Sequence, residues 1–125
     1  MFRVKRAEFE QLVNRAIEHI PAAYQRRLQN VAFIVEEEAS PGQRHQLGLG
    51  PHDLLFGLYE GVPLPERGGT TKLLPDKVTV YQRPLEQVSH SRADLAERVG
   101  RTVWHEVAHY YGLNHQRIHF LEQKG

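Results

Sequence analysis

From His105 to His115 the chain reads HEVAHYYGLNH, three histidines and a glutamate at the spacing H-E-x-x-H-x-x-G-x-x-H. A helix advances about 100° per residue, so His105 and His109 would stand one turn apart along the axis and about 40° apart around it. Two imidazoles so placed can grip one ion. A catalytic zinc takes three protein ligands and keeps a fourth position for water, and a straight helix cannot supply the third. Gly112 meets that need, because glycine enters the left-handed conformation that ends helices at little cost. Three residues later His115 can swing back to the metal. Glu106 is rotated off the histidine face, a poor place for coordination and a good one for proton transfer. Its carboxylate would accept a proton from a water acidified by the metal and pass it to a leaving amine. The chemistry implied is metal-assisted hydrolysis, most often of a peptide bond. The competing reading is a helix whose histidines only face solvent, and the completeness of the eleven-residue pattern argues against it.

The element that must carry this motif is a helix beginning at Ser91, an N-cap residue, with Asp94 three positions later as a short-armed capping box. It would run about 20 residues, roughly 30 Å, and end at Gly112. With Val103 set at zero on the helical wheel, Ala96, Val99, Val107 and Tyr110 fall within about 40° of it, whereas His105 and His109 fall near 200° and 240°. The histidines therefore point away from the core stripe, toward a second wall or a cleft. Upstream, Phe9, Leu12, Val13, Ala16, Ile17 and Ile20 repeat at helical spacing, and Pro21 breaks that helix before a second short piece through Tyr24 and Leu28. Residues 31–38, VAFIVEEE, read as a strand. ASPGQRHQLGLGPH reads as a loop. DLLFGLYEG suits a second strand ending near Glu60, with a helical turn at Leu54 to Phe56 also allowed, and VPLPERGGTTKLLP is loop again. KVTVYQRP alternates Val78, Val80 and Gln82 against Thr79, Tyr81 and Arg83, a half-buried strand stopped by Pro84. HQRIHFLEQ looks like a short last helix. Mixed helices and few strands give an α+β domain.

Composition narrows the chemistry further. The 125 residues suit one domain spanning 1–125, with 40% apolar and 25% charged residues as in soluble globular proteins. Cysteine is absent, so any transition metal must be held by imidazole or carboxylate. The net charge is +1 with basic and acidic residues interspersed, which argues against a nucleic-acid partner. No apolar run is long enough to span a bilayer, and the start, MFRVKRAEFEQLV, lacks a signal-peptide core, so the expected location is the cytoplasm.

With these residues in hand, the chain resembles the minimal zincins, small bacterial metallopeptidase-like domains. The likeness runs through the N-terminal helix ending in IP, the strand VAFIVEE, LFGLYEGVPLPERG, VTVYQRPL and RTVWHEVAHYYGLNH, the last being the specific part. It implies a zincin-like fold, a short mixed sheet packed on a long active-site helix with N-terminal and C-terminal helices. By position it makes His105, His109 and His115 ligands of one zinc ion, Glu106 the general base and Gly112 the turn. Many relatives carry Asp where this chain has His115. The methionine turn of metzincins has no counterpart, since the only methionine is Met1. The implied partner is a peptide or protein substrate, and the alternative is a zinc-stabilised peptide- or protein-binding module without turnover. Nickel, cobalt or iron can occupy similar ligand sets.

Several other residues invite a role. His119 could ligate from the last helix, although a surface cation is the simpler reading. Tyr110 or Tyr111 could stabilise an oxyanion, with packing the better expectation for Tyr110. Tyr59, Glu60 or Arg67 could line the cleft. VTVYQRP could be an edge strand that an extended peptide joins, or equally an internal one.

Overall fold

The computed structural model describes residues 1–63, 65 and 75–113. Helix α1 spans Arg6–Glu18, α2 Ala22–Gln25, and a 3-10 turn covers Leu28–Asn30. Strand β1 is Val31–Glu36, α3 Pro41–Gln46, β2 Gly57–Glu60, β3 Asp76–Tyr81, α4 Gln82–Val88 and α5 Arg92–Tyr110. The sheet order is β1-β3-β2, with β1 parallel and β2 antiparallel to β3, the short mixed sheet expected from the sequence. No described helix is long and apolar enough to cross a membrane.

The core forms where three apolar faces meet. Phe9, Leu12 and Val13 supply the stripe of α1, Leu95, Val99, Val103, Val107 and Tyr110 that of α5, and Val78 and Val80 the sheet's contribution. The α1 and α5 stripes anticipated from helical periodicity are the ones buried. Pro21 ends α1 as expected, and Gln25 satisfies the helix end by donating from Nε2 to the carbonyls of Ile17 at 3.2 Å and of Glu18 and Ile20 at 3.0 Å.

Three expectations need correction. Residues 41–46, read as loop, form α3, because Ser40 and Gln43 make a reciprocal capping box with Pro41 in the first turn. The short, polar helix ends at Gly48, whose φ of 68° lets Leu49 N–H reach back to the Arg44 carbonyl at 2.9 Å. Second, β3 is central and buried on both faces rather than half-buried. Val78 and Val80 join the core, while Thr79 and Tyr81 are 1% and 0% exposed, and the Tyr81 hydroxyl donates to Gln43 Oε1 of α3 at 3.2 Å. Third, Pro84 does not terminate structure. It sits in the first turn of α4, where the missing N–H costs nothing, and Arg83 anchors that turn through its N–H to the Glu37 carbonyl at 2.9 Å and an ion pair with Glu37. The segment 66–74 and the expected last helix over HQRIHFLEQ lie outside the described residues.

Candidate metal centre

Helix α5 is 19 residues long and held at both ends by its own sequence. At the N-terminus Ser91 Oγ accepts from Asp94 N–H at 3.0 Å, and Asp94 Oδ2 accepts from His90 N–H at 2.9 Å, a box shifted by one residue from the reciprocal pairing. That backbone bond, followed by the neighbouring Arg98 guanidinium, holds the Asp94 carboxyl below the usual carboxylate range. At the C-terminus Gly112 has φ 72°, its N–H bonds the His109 carbonyl at 3.0 Å, and Leu113 N–H bonds the Ala108 carbonyl at 3.0 Å. This pair of bonds is a Schellman motif. It reverses the chain at the point the sequence spacing requires, and Pro65 packs so closely that a Cβ on Gly112 would stand 2.7 Å from its Cγ.

On the side of α5 away from the core stripe, His105 and His109 are both half-buried and their rings stand 4.8 Å apart, inclined at 76°. Glu106 is buried, at 8% exposure, and its Oε1 lies 3.2 Å from His109 Nδ1. In the tautomer that carries its proton on Nδ1, His109 donates to Glu106 Oε1 and keeps the Nε2 lone pair for an ion. The potential ligand atoms of His105, Glu106 and His109 all lie within 4.8 Å of one another. Two imidazole nitrogens are donors a borderline dication such as zinc accepts, and the carboxylate stands beside them within reach of a molecule held there. His115 and His119 lie outside the described residues.

Glu106 owes its position to a residue that motif spacing does not single out. Gly57 of β2 faces α5, and a Cβ there would come 2.7 Å from Thr102 Cγ2 and 3.1 Å from Glu106 Cγ. The bare glycine lets the helix and its carboxylate settle against the sheet. A glycine inside a strand marks close approach of another group, and that signal is present in FGLYE. Behind the same sheet, burial pushes the Tyr81 phenol up, with the carboxylates of Glu60, Glu36 and Glu106 acting in the same direction, so Tyr81 stays a neutral hydroxyl.

The remaining candidates take structural roles. Tyr110 is fully buried and its hydroxyl donates to the Arg27 carbonyl at 3.1 Å, while the Tyr111 hydroxyl donates to the Tyr24 carbonyl. Tyr59 donates its hydroxyl to Asp76 Oδ2 at 2.5 Å and stacks edge-on against Tyr110 with ring centres 6.1 Å apart. Glu60 pairs with Lys77 at 3.6 Å. Arg67 lies outside the described residues. Because VTVYQRP supplies the central strand, the edge-strand reading of that segment falls. Among the described strands the free edges belong to β1 and β2, and β2 is the one against α5.

Comparison with known proteins agrees with this geometry. The profile of a family described as zincin-like metallopeptidase matches residues 28–124. Among solved structures, a conserved hypothetical protein from Thermo thermophilus is similar, with 22% identity, a TM-score of 0.58, and coverage of 97% of this chain and 100% of that one. At that identity the likeness speaks for the fold alone. No curated protein matches the chain significantly.

Proposed function

Since the chain belongs to the zincin-like metallopeptidase family, we propose that it is a zinc-dependent peptidase-like hydrolase with His105, His109 and His115 as ligands and Glu106 as general base. The observation that carries this reading is the convergence of two imidazoles and a buried carboxylate on one side of α5. Zinc, when bound, supplies a Lewis acid that acidifies water and polarises a carbonyl. Glu106 then takes the proton of the attacking water and delivers it to the departing amine. His109, oriented through its Nδ1 contact, presents a defined nitrogen, and the left-handed turn at Gly112 ends the helix three residues before His115 in the sequence. The substrate is an extended peptide or protein segment, which strand addition along the sheet edge beside α5 would recognise.

The test couples stoichiometry with turnover. Purified protein is expected to bind zinc near one to one and to cleave members of a broad peptide library. Glu106→Gln should retain the metal and lose cleavage. Fully metallated wild-type protein that leaves such a library uncut would refute the hydrolase reading. A large fall in melting temperature on chelation, alongside that result, would identify a zinc-stabilised binding module.

A further inference from the structure

Between α1 and α5 lies a cavity of about 590 Å³, well within the range of roughly 300–1,000 Å³ typical of small-molecule sites. It opens on the far side of α5 from the metal centre. At about 100° per residue, the midpoint of Gly100 and Trp104 stands roughly 140° around the axis from the midpoint of His105 and His109. The floor is apolar, built from Leu12, Ala16 and Ile20 of the first helical stretch with Ala96 and Trp104 of α5.

Three features of this cavity remain unexplained by folding. Gly100 lies inside α5, where glycine is disfavoured relative to alanine, yet a Cβ at that position would meet no atom within 4 Å. Packing does not demand glycine there. Its effect is to leave one wall of the cavity open. Trp104 is 8% exposed and its Nε1 is buried without a hydrogen-bond partner, whereas a buried indole N–H usually finds an acceptor. At the rim, the Arg15 guanidinium makes no hydrogen bond or ion pair among the described residues. Arg101, also on the rim, is shared with Glu97 at 3.3 Å. Two guanidiniums and one carboxylate thus leave a single surplus positive charge over an apolar floor, beside the His19 ring, whose Nδ1 lies 2.7 Å from the Arg15 carbonyl.

We infer that this cavity binds an amphipathic monocarboxylate, its apolar body on the floor beside Gly100 and Trp104 and its carboxylate held by Arg15. A carboxylate carries the acceptor atoms that the Arg15 guanidinium lacks, and one negative charge matches the surplus at the rim. A dianion or a cation does not. The inference is independent of the metal centre, which faces the other way.

Trp104 is the only tryptophan in the chain, so its emission reports the cavity directly. Decanoate titrated into the full chain below its micellar range is expected to change that emission saturably, and decanoate brominated at its far end to quench it. Decanol and decylamine should bind about tenfold more weakly or worse. Gly100→Leu fills the open wall while raising helix propensity; it should keep the native circular dichroism spectrum and weaken decanoate binding by about tenfold or more. Arg15→Gln, exposed at the rim, should remove the preference for decanoate over decanol. Absence of a saturable response, equal affinity for decanol and decanoate, or unaltered binding in a folded Gly100→Leu protein would each overturn the inference.

Discussion

Replacing Gly57 with alanine tests how tightly the metal-bearing helix sits on the sheet. The added Cβ would lie 2.7 Å from Thr102 Cγ2, 3.1 Å from Glu106 Cγ and 3.3 Å from the Thr79 carbonyl oxygen. Ordinary carbon contacts are near 3.5–4.0 Å, so the worst overlap is at least about 0.8 Å. Gly57 is not among the glycines with positive φ, and the cost is therefore steric alone. Overpacking of a well-filled core costs typically about 1–3 kcal/mol. The upper half of that range is expected here, because Thr102 cannot rotate freely. It is β-branched within a helix, and its Oγ1 donates to the Arg98 carbonyl at 2.8 Å. A loss of about 2–3 kcal/mol should appear in urea or guanidinium midpoints and lower the melting temperature by roughly 5–15 °C. Thr102→Ser removes the offending methyl. The double variant should then be more stable than the sum of the singles by about 1 kcal/mol, a coupling expected only of residues in contact. Strict additivity, or a single-variant cost below about 0.5 kcal/mol, would refute the picture of a glycine-spaced seat for Glu106.

Other perturbations probe the remaining supports. Gly112→Ala combines a left-handed φ with a close contact to Pro65, so it should cost at least about 1–2 kcal/mol and weaken zinc binding measured against a chelating dye. Unchanged affinity would dissociate the turn from the metal centre. Gly100→Ala, with open space around the new methyl, should instead stabilise the chain by about 0.5–1 kcal/mol in denaturant titrations; a destabilised variant would show that the space is not open. Asp94, whose carboxyl is held low chiefly by the His90 N–H, contributes stability that is complete at neutral pH and lost as pH falls below the ordinary carboxylate range toward its folded value. Asp94→Asn should therefore flatten the acid limb of a plot of midpoint against pH, whereas a parallel displacement of the whole curve would contradict the assignment.

The long elements are legible in the sequence because their patterns are redundant. Apolar positions of α1 and α5 at helical spacing, a capping serine at 91 and a glycine at 112 agree on where the two main helices lie. The cluster of His105, Glu106 and His109 is legible for the same reason, since helical geometry alone places the two imidazoles together. What escapes depends on tertiary cover. The alternation in KVTVYQ suggests a solvated face, and tertiary cover, including α3 against Tyr81, makes that face internal. Helix α3 itself has caps but no apolar stripe, so composition outweighs its end signals. Pro84 looks like a stop because its residence in a first turn requires knowing that a helix follows at once. The glycine inside FGLYE hints at a close approach without saying by what, and the Gly100 cavity is a matter of space between elements distant in sequence that no local pattern announces.

The tyrosine hydroxyls at the end of α5 reach carbonyls more than eighty residues earlier, at Tyr24 and Arg27. Chain order gives that tie a temporal meaning. During synthesis α1 is made with an apolar stripe whose complement, Val99 to Tyr110, has not yet been made, and the parallel partner of β1 is also still to come. Such distant pairings are slow to close and leave sticky surface uncovered meanwhile. The histidine-bearing helix is thus made after the elements it packs on and closes the described core, so assembly of the hydrophobic interior and of the ion-binding face coincides in a single event.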